Sequence, residues 1–268
     1  MILPISVCLV VKNEAERLER SLRPFIGRVA EIIAYDNGST DRTIEILKKM
    51  GVTVVQGPWL GFSETRRLVW SMARQAWVLW LDADEVFEAE TIDVLGKYLG
   101  PSPVLSQEGN NTGRRPATPE EKNIPQGYRI RRRVIFEGQT ICHGDWGNDW
   151  VLRVFRRDNY TMADRLVHES VEVPGRVVDL PGIVEHHSFR NWADLEARSF
   201  KYAELWATQA VLDKKKPSSP VLRAAWKFFK GYIIKLGFLD GALGYKIALH
   251  NAREVYHKYK RLGELGED

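Results

Sequence analysis

Three acids crowd four positions at Asp82-Ala83-Asp84-Glu85, directly after the apolar run Trp77–Leu81. Clustered carboxylates repel one another unless a cation sits among them. Hard oxygen donors at this spacing suit Mg²⁺ or Mn²⁺ carrying a substrate phosphate. A solvated acidic turn capping the next helix is the plainer alternative. A second candidate is Asp36-Asn37-Gly38-Ser39-Thr40-Asp41. Here Gly38 permits a tight turn, and Ser39, Thr40 or Asp41 can cap a following helix. The Asp36 carboxylate can accept hydrogen bonds from a base or ribose, or it can close a turn with no ligand. Lys12-Asn13-Glu14 poses the same choice.

These residues fall at the ends of expected strands. Ile5–Val11, Glu31–Tyr35, Val52–Val55 and Trp77–Leu81 read as strands, alternating with helices over about Ala15–Ile26, Asp41–Met50, Phe62–Arg74 and Glu88–Leu99. Such alternation is the signature of a parallel α/β sheet covered on both faces. Sheets of that kind deliver ligand-handling residues at the carboxyl ends of their strands. Gly100–Pro125 loses periodicity and reads as a long exposed loop, either an active-site lid or a disordered insertion. Strand-like segments resume at Gly127–Phe136, Trp150–Phe155 and Val171–Val173. Helical patterns follow over Asn191–Leu212 and, after a basic Pro/Ser break, over Val221–Leu262.

With 268 residues, 44% of them hydrophobic and 28% charged, the chain has the composition of a soluble globular protein. The net charge of +4 is unevenly placed, in Arg129–Arg133, Arg153–Arg157 and Lys214–Lys216. Such patches suit phosphates, nucleic acid or an anionic membrane surface. Cys8 and Cys142 form no disulfide framework, so a reduced, cytoplasmic setting is the default expectation. The N-terminus enters a strand at once, so no secretory signal is expected. No run of about 18 apolar residues offers a membrane span.

Taken together and in this order, VVKNEAERL, DNGSTDRT, GFSETRR and WVLWLDADE resemble the N-terminal half of family 2 glycosyltransferases with the GT-A fold. The resemblance implies an α/β architecture: a Rossmann-like, mostly parallel sheet flanked by helices, with a helical C-terminal extension. The expected catalytic domain is 1–190, comprising a nucleotide-binding half (1–99), a flexible loop (100–125) and an acceptor half (126–190). The extension is 191–268. By position, the resemblance makes Asn13, Glu14 and Asp36 nucleotide contacts and Arg66 a diphosphate or nucleotide contact. It makes Asp82 and Asp84 the segment that holds the diphosphate through Mn²⁺ or Mg²⁺. Arg67 stands where the family often has Asn.

In the second half, HGDWGNDWVLRVFRR, LVHESVEV and VEHHSF look like the lipopolysaccharide-core β-glucosyltransferase subgroup. That likeness places the catalytic base at Glu169, with Asp145 and Asp149 as rivals. It makes His186 or His187 a further metal ligand. Arg153, Arg156 and Arg157 could contact acceptor phosphate or decorate an exposed strand. The implied enzyme is inverting and metal-dependent, moving a sugar from a UDP-sugar, UDP-glucose first among candidates, to a lipopolysaccharide-core or other lipid-linked acceptor. Transfer to polyprenyl phosphate is the nearest alternative. A sugar nucleotidyltransferase should carry a glycine-rich loop after the first strand, and VVKNEAERL has none. A nucleic-acid or sugar-nucleotide binding module fits the basic clusters but leaves DADE, VHE and HHS without a purpose, so no nucleic-acid partner is expected.

The segment Ala225–Leu239 mixes bulky apolar residues with lysines at helical spacing. It suits an interfacial helix lying on an anionic leaflet, with Lys227, Lys230 and Lys235 reaching headgroups. It equally suits a helix that packs on the catalytic domain with snorkelling lysines.

Overall fold

In the computed structural model, which describes residues 2–99, 123–147, 149–162 and 171–265, strand β1 (Leu3–Val11) is the most deeply buried element of the sheet. A strand apolar on both faces belongs inside a parallel sheet. β1 is flanked in parallel by β2 (Val29–Asp36) and β4 (Trp77–Trp80), and β3 (Thr53–Gln56) pairs in parallel beyond β2. Successive side chains of a strand point to opposite faces. Ile5, Val7, Leu9 and Val11 accordingly enter one core with Leu18 and Leu22 of α1 (Ala15–Leu22) and Leu47 of α2 (Thr43–Lys49). Cys8 enters the other core, with Val69 and Trp70 of α3 (Phe62–Ser71).

Among the described residues the sheet has nine strands. Its order is β3-β2-β1-β4-β8-β6-β11-β5, formed by these four together with β5 (Glu85–Phe87), β6 (Gly127–Phe136), β8 (Asp149–Arg156) and β11 (Val177–His186). The ninth strand, β7 (Gln139–Ile141), pairs with β6. β8 runs antiparallel to β4, setting Trp77 opposite Arg156 and Leu79 opposite Val154. Helix α4 (Ala89–Leu99) follows β5, and β9 (Thr161–Met162) with β10 (Val171–Glu172) makes a separate antiparallel ribbon. The α/β architecture agrees with expectation. Four strands have no counterpart in the strand pattern of the sequence, of which β7 and β9 are only three and two residues long. β5 interrupts what reads as the approach to α4, and β11 lies in a stretch with no apolar alternation to mark it.

The chain divides into two compact units. The first, 1–132 with 150–185, holds the parallel strands. The second, 133–149 with 186–268, contains α5 (Trp192–Leu212), α6 (Pro220–Phe229) and α7 (Gly241–Leu265). Asn191 and Ser219 cap α5 and α6 through their side-chain oxygens, as residues of these types commonly do. α5 and α7 are tied by Arg261–Glu204 at 3.0 Å and by Ser199–His250 at 2.8 Å. The expected single helical run over Val221–Leu262 is broken. A π-helical turn at Lys230–Ile234 leads to Leu236 in the left-handed region (φ 57°) and a 3-10 turn at Gly237–Asp240. The break lets the chain fold tightly, since a Cβ at Gly244 would lie 1.9 Å from the Gly237 carbonyl.

Candidate active site

Asp36 is the last residue of β2, opposite Val11 of β1, and is fully buried. Its Oδ1 accepts from the Gly38 and Ser39 amides, each at 3.1 Å, closing a turn that puts Gly38 at φ 99°. Its Oδ2 is buried and has no hydrogen-bond partner among the described residues. An unsatisfied buried acceptor costs about 1–3 kcal/mol, more when charged, and native structures hold few of them. The chemistry of that atom fits a ligand N–H or O–H.

The turn after β1 is stitched to this one. Asn13 sits at φ 55°; its Oδ1 accepts from the Thr40 amide at 2.8 Å, and its own amide donates to Ser39 Oγ at 2.9 Å. The Glu14 amide donates to Thr43 Oγ1 at 2.8 Å. The Asn13 carbonyl oxygen therefore has a structural task, which leaves the side-chain amide nitrogen as the group to offer a nucleotide. Arg17 then spans the gap to the acidic turn, with Nη1 3.6 Å from Glu14 Oε2 and 3.9 Å from Asp84 Oδ2.

At the end of β4 the Asp82 carbonyl accepts from the Glu85 amide at 2.9 Å, making the acidic segment a tight turn. Asp82 is gripped by its neighbours. Trp80 Nε1 donates to Oδ1 at 2.9 Å, Arg66 lies 3.4 Å from Oδ1, and Arg153 donates to Oδ2 at 2.9 Å. Both guanidiniums also lie over the Trp80 ring, 4.3 and 4.4 Å from its centroid. Burial opposes ionisation of Asp82, but Arg153 and Arg66 outweigh it and hold the carboxyl below the usual carboxylate range.

Arg153 corrects an expectation. It does not decorate an exposed strand and is not positioned for an acceptor phosphate. Only 4% of its side chain is exposed, and it pairs at 2.5 Å with Glu85, whose side chain is fully buried. Burial disfavours its charge, yet Glu85 and Asp82 hold it firmly protonated. Trp80 and Arg17 join this site without a signal in the sequence, and Glu85, expected among the hard oxygen donors of the acidic cluster, is instead buried against Arg153. A lone arginine inside the apolar run VLRVF was the available signal, because a buried cation requires a buried anion.

Removing one partner of a buried pair strands the other charge, at a typical cost of about 3–5 kcal/mol. Arg153→Ala should lose that much by urea unfolding. Arg153→Lys should lose less, keeping the charge but not the planar stack on Trp80. A change below about 1 kcal/mol for Arg153→Ala would mean that the pair does not hold this turn.

Among the described residues no group of three or more His, Cys, Asp or Glu could hold a metal ion. Mg²⁺, however, commonly takes one or two carboxylates and completes its shell with water and substrate phosphate. Asp84, 18% exposed on the turn beyond β4, offers such a carboxylate. The donor set fits a cation that arrives with a diphosphate, not one caged by protein side chains alone.

Glu169 lies outside the described residues, as do positions 100–122 of the expected loop. His186 ends β11 in the second unit, its ring nitrogens 2.9 and 3.0 Å from Ser188 Oγ. Asp145 is clamped in the same unit by Lys227 and Lys235, each at 2.9 Å. Burial would raise its carboxyl, but the two lysines hold it below the usual range. Those lysines are thus committed within the protein, contrary to the expectation that they reach headgroups. Arg67 turns to the Met162 carbonyl and Glu64.

A family model described as glycosyl transferase family 2 matches residues 6–157, which runs from within β1 to the end of β8 and takes in every first-unit residue of this site. The chain belongs to that family. Among similar proteins is an uncharacterized glycosyltransferase of Rickettsia bellii, 27% identical over 267 residues, covering 98% of this chain and 86% of that protein. The lipopolysaccharide core biosynthesis glycosyltransferase LpsC of Rhizobium meliloti is 23% identical over 274 residues, covering 96% and 93%. Among solved structures, S. aureus TarS aligns over 100% of this chain and 92% of its own, at 13% identity and a TM-score of 0.44. The protein is a family 2 glycosyltransferase with an α/β catalytic fold.

Proposed function

We propose that this family 2 glycosyltransferase moves a sugar with inversion from a UDP-sugar, UDP-glucose first among candidates, to a lipopolysaccharide-core or other lipid-linked acceptor. The observation that carries the donor reading is the fully buried Asp36 carboxylate at the carboxyl edge of the parallel strands, whose Oδ2 has no donor among the described residues. In this reading Asp36 accepts from the base or ribose, flanked by Asn13 and Glu14. Arg66 meets the diphosphate, and Asp82 positions Arg66 and Arg153. Asp84 is the carboxylate for Mg²⁺ or Mn²⁺, with His186 a further candidate ligand. When bound, that cation would offset negative charge on the departing diphosphate.

The transfer is one displacement. The acceptor hydroxyl oxygen bonds to the anomeric carbon while the bond from that carbon to the diphosphate oxygen breaks, its electron pair leaving with UDP. Glu169 takes the hydroxyl proton. Similarity to LpsC along nearly the whole chain supports the acceptor class. We keep 1–99 as the nucleotide half, 126–190 as the acceptor half and 191–268 as an extension. A lipid-linked acceptor lies in a bilayer, so the reading carries peripheral contact with an anionic membrane, on its cytoplasmic side. No helix among the described residues is long and apolar enough to cross a membrane. Transfer to polyprenyl phosphate needs the same donor chemistry and the same surface.

Titration of UDP by calorimetry tests the donor site. Asp36→Ala should weaken binding by about 1–3 kcal/mol, the range for a hydrogen bond to a charged group. Unchanged affinity would confine Asp36 to closing its turn.

A further inference from the structure

Helix α6 has no buried residue, although ten consecutive positions include Val221, Leu222, Trp226, Phe228 and Phe229. Its orientation explains this. Phe228 and Tyr232 face α7, each in an edge-to-face contact with Tyr245. Leu222, Trp226, Phe229 and Ile233, spaced by four, three and four, lie along the opposite face at 72%, 56%, 46% and 43% exposure. Past the π-helical turn the corner adds Leu236, Phe238 and Leu239, also exposed. A helix that only packed on its neighbours would turn this stripe inward.

The segment that carries the stripe holds charge of one sign. From Lys214 to Leu239 there is no acidic residue, while Lys214, Lys215, Lys216, Arg223, Lys227, Lys230 and Lys235 are all cationic. Lys227 and Lys235 are committed to Asp145. Lys214, Lys215, Lys216, Arg223 and Lys230 are exposed.

We infer that this stripe and corner form a docking face for an anionic bilayer surface. The apolar side chains enter the interface, and Lys230 with the Lys214–Lys216 cluster meets lipid phosphates. A self-association face would bury the same apolar groups, but two copies would bring like charges together without one acidic partner in the segment. The occupant that complements both features is a negatively charged leaflet. The purpose of the contact rests on the lipid-linked acceptor proposed above; its chemistry does not.

The test is flotation of the full chain with phosphatidylglycerol/phosphatidylcholine vesicles, against phosphatidylcholine alone. The protein should float with anionic vesicles at low salt, return to solution at high salt and stay in solution with neutral vesicles. Lys230→Ala should weaken partitioning about fivefold, the effect of one basic residue near the surface. The triple variant Trp226→Ser/Phe229→Ser/Ile233→Ser should stop flotation while its circular dichroism and UDP binding stay unchanged, since these side chains point outward. Wild type that never floats with anionic vesicles overturns the inference. So does a wild-type dimer, by sedimentation, that the serine variant converts to monomer without any vesicle binding. Vesicle binding by a protein that uses no UDP-sugar would refute the proposed function and leave this surface standing.

Discussion

Glu169→Gln should lower turnover by about 10²–10⁴ while leaving UDP-sugar affinity nearly intact, the usual worth of a positioned general base. Glutamine keeps the shape and most of the hydrogen bonding of glutamate but cannot take the acceptor proton. The proposed donor site, at the ends of β1, β2 and β4, should not register the change. Initial transfer rates and donor titration separate the two effects. Of the rivals, Asp145 is weakened by the structure: two lysines hold its carboxyl below the usual range, and a carboxylate so stabilised is a poor proton acceptor. Asp149 stays a competitor. An active Glu169→Gln beside an Asp149→Asn that has lost turnover would transfer the role.

The first parallel strands and the turns that follow them are legible in the sequence because their signals are local. Buried parallel strands are written as continuous apolar runs, and the turns that follow them carry their own glycine and capping residues, as at Asp36–Asp41. What escaped is non-local. Arg153 finds Asp82 and Glu85 across about seventy residues of sequence, through the antiparallel pairing of β8 with β4. No short window ties it to them. Residue type also hides direction. Lys227, Lys230 and Lys235 look alike along one helical run, yet two of them clamp Asp145 while Lys230 is exposed. In the same way, the amphipathic pattern of α6 reveals a stripe without saying that it faces outward.

In the proposed function the acidic turn after β4 serves a nucleotide diphosphate, with Asp84 as the carboxylate for its cation. Asp84→Ala removes a hard ligand where charge builds on the leaving group, an interaction worth several kcal/mol in the transition state. It should therefore abolish transfer. The fold should persist, because the buried Arg153–Glu85 pair beneath the turn is untouched. The most direct measurement follows UDP release from a panel of UDP- and GDP-sugars, with Mn²⁺ or Mg²⁺ and with EDTA, for wild type and Asp84→Ala. Release from a UDP-sugar should need the divalent cation, stop in EDTA and be absent in the variant. Undiminished release in EDTA, or full activity of Asp84→Ala, would contradict it.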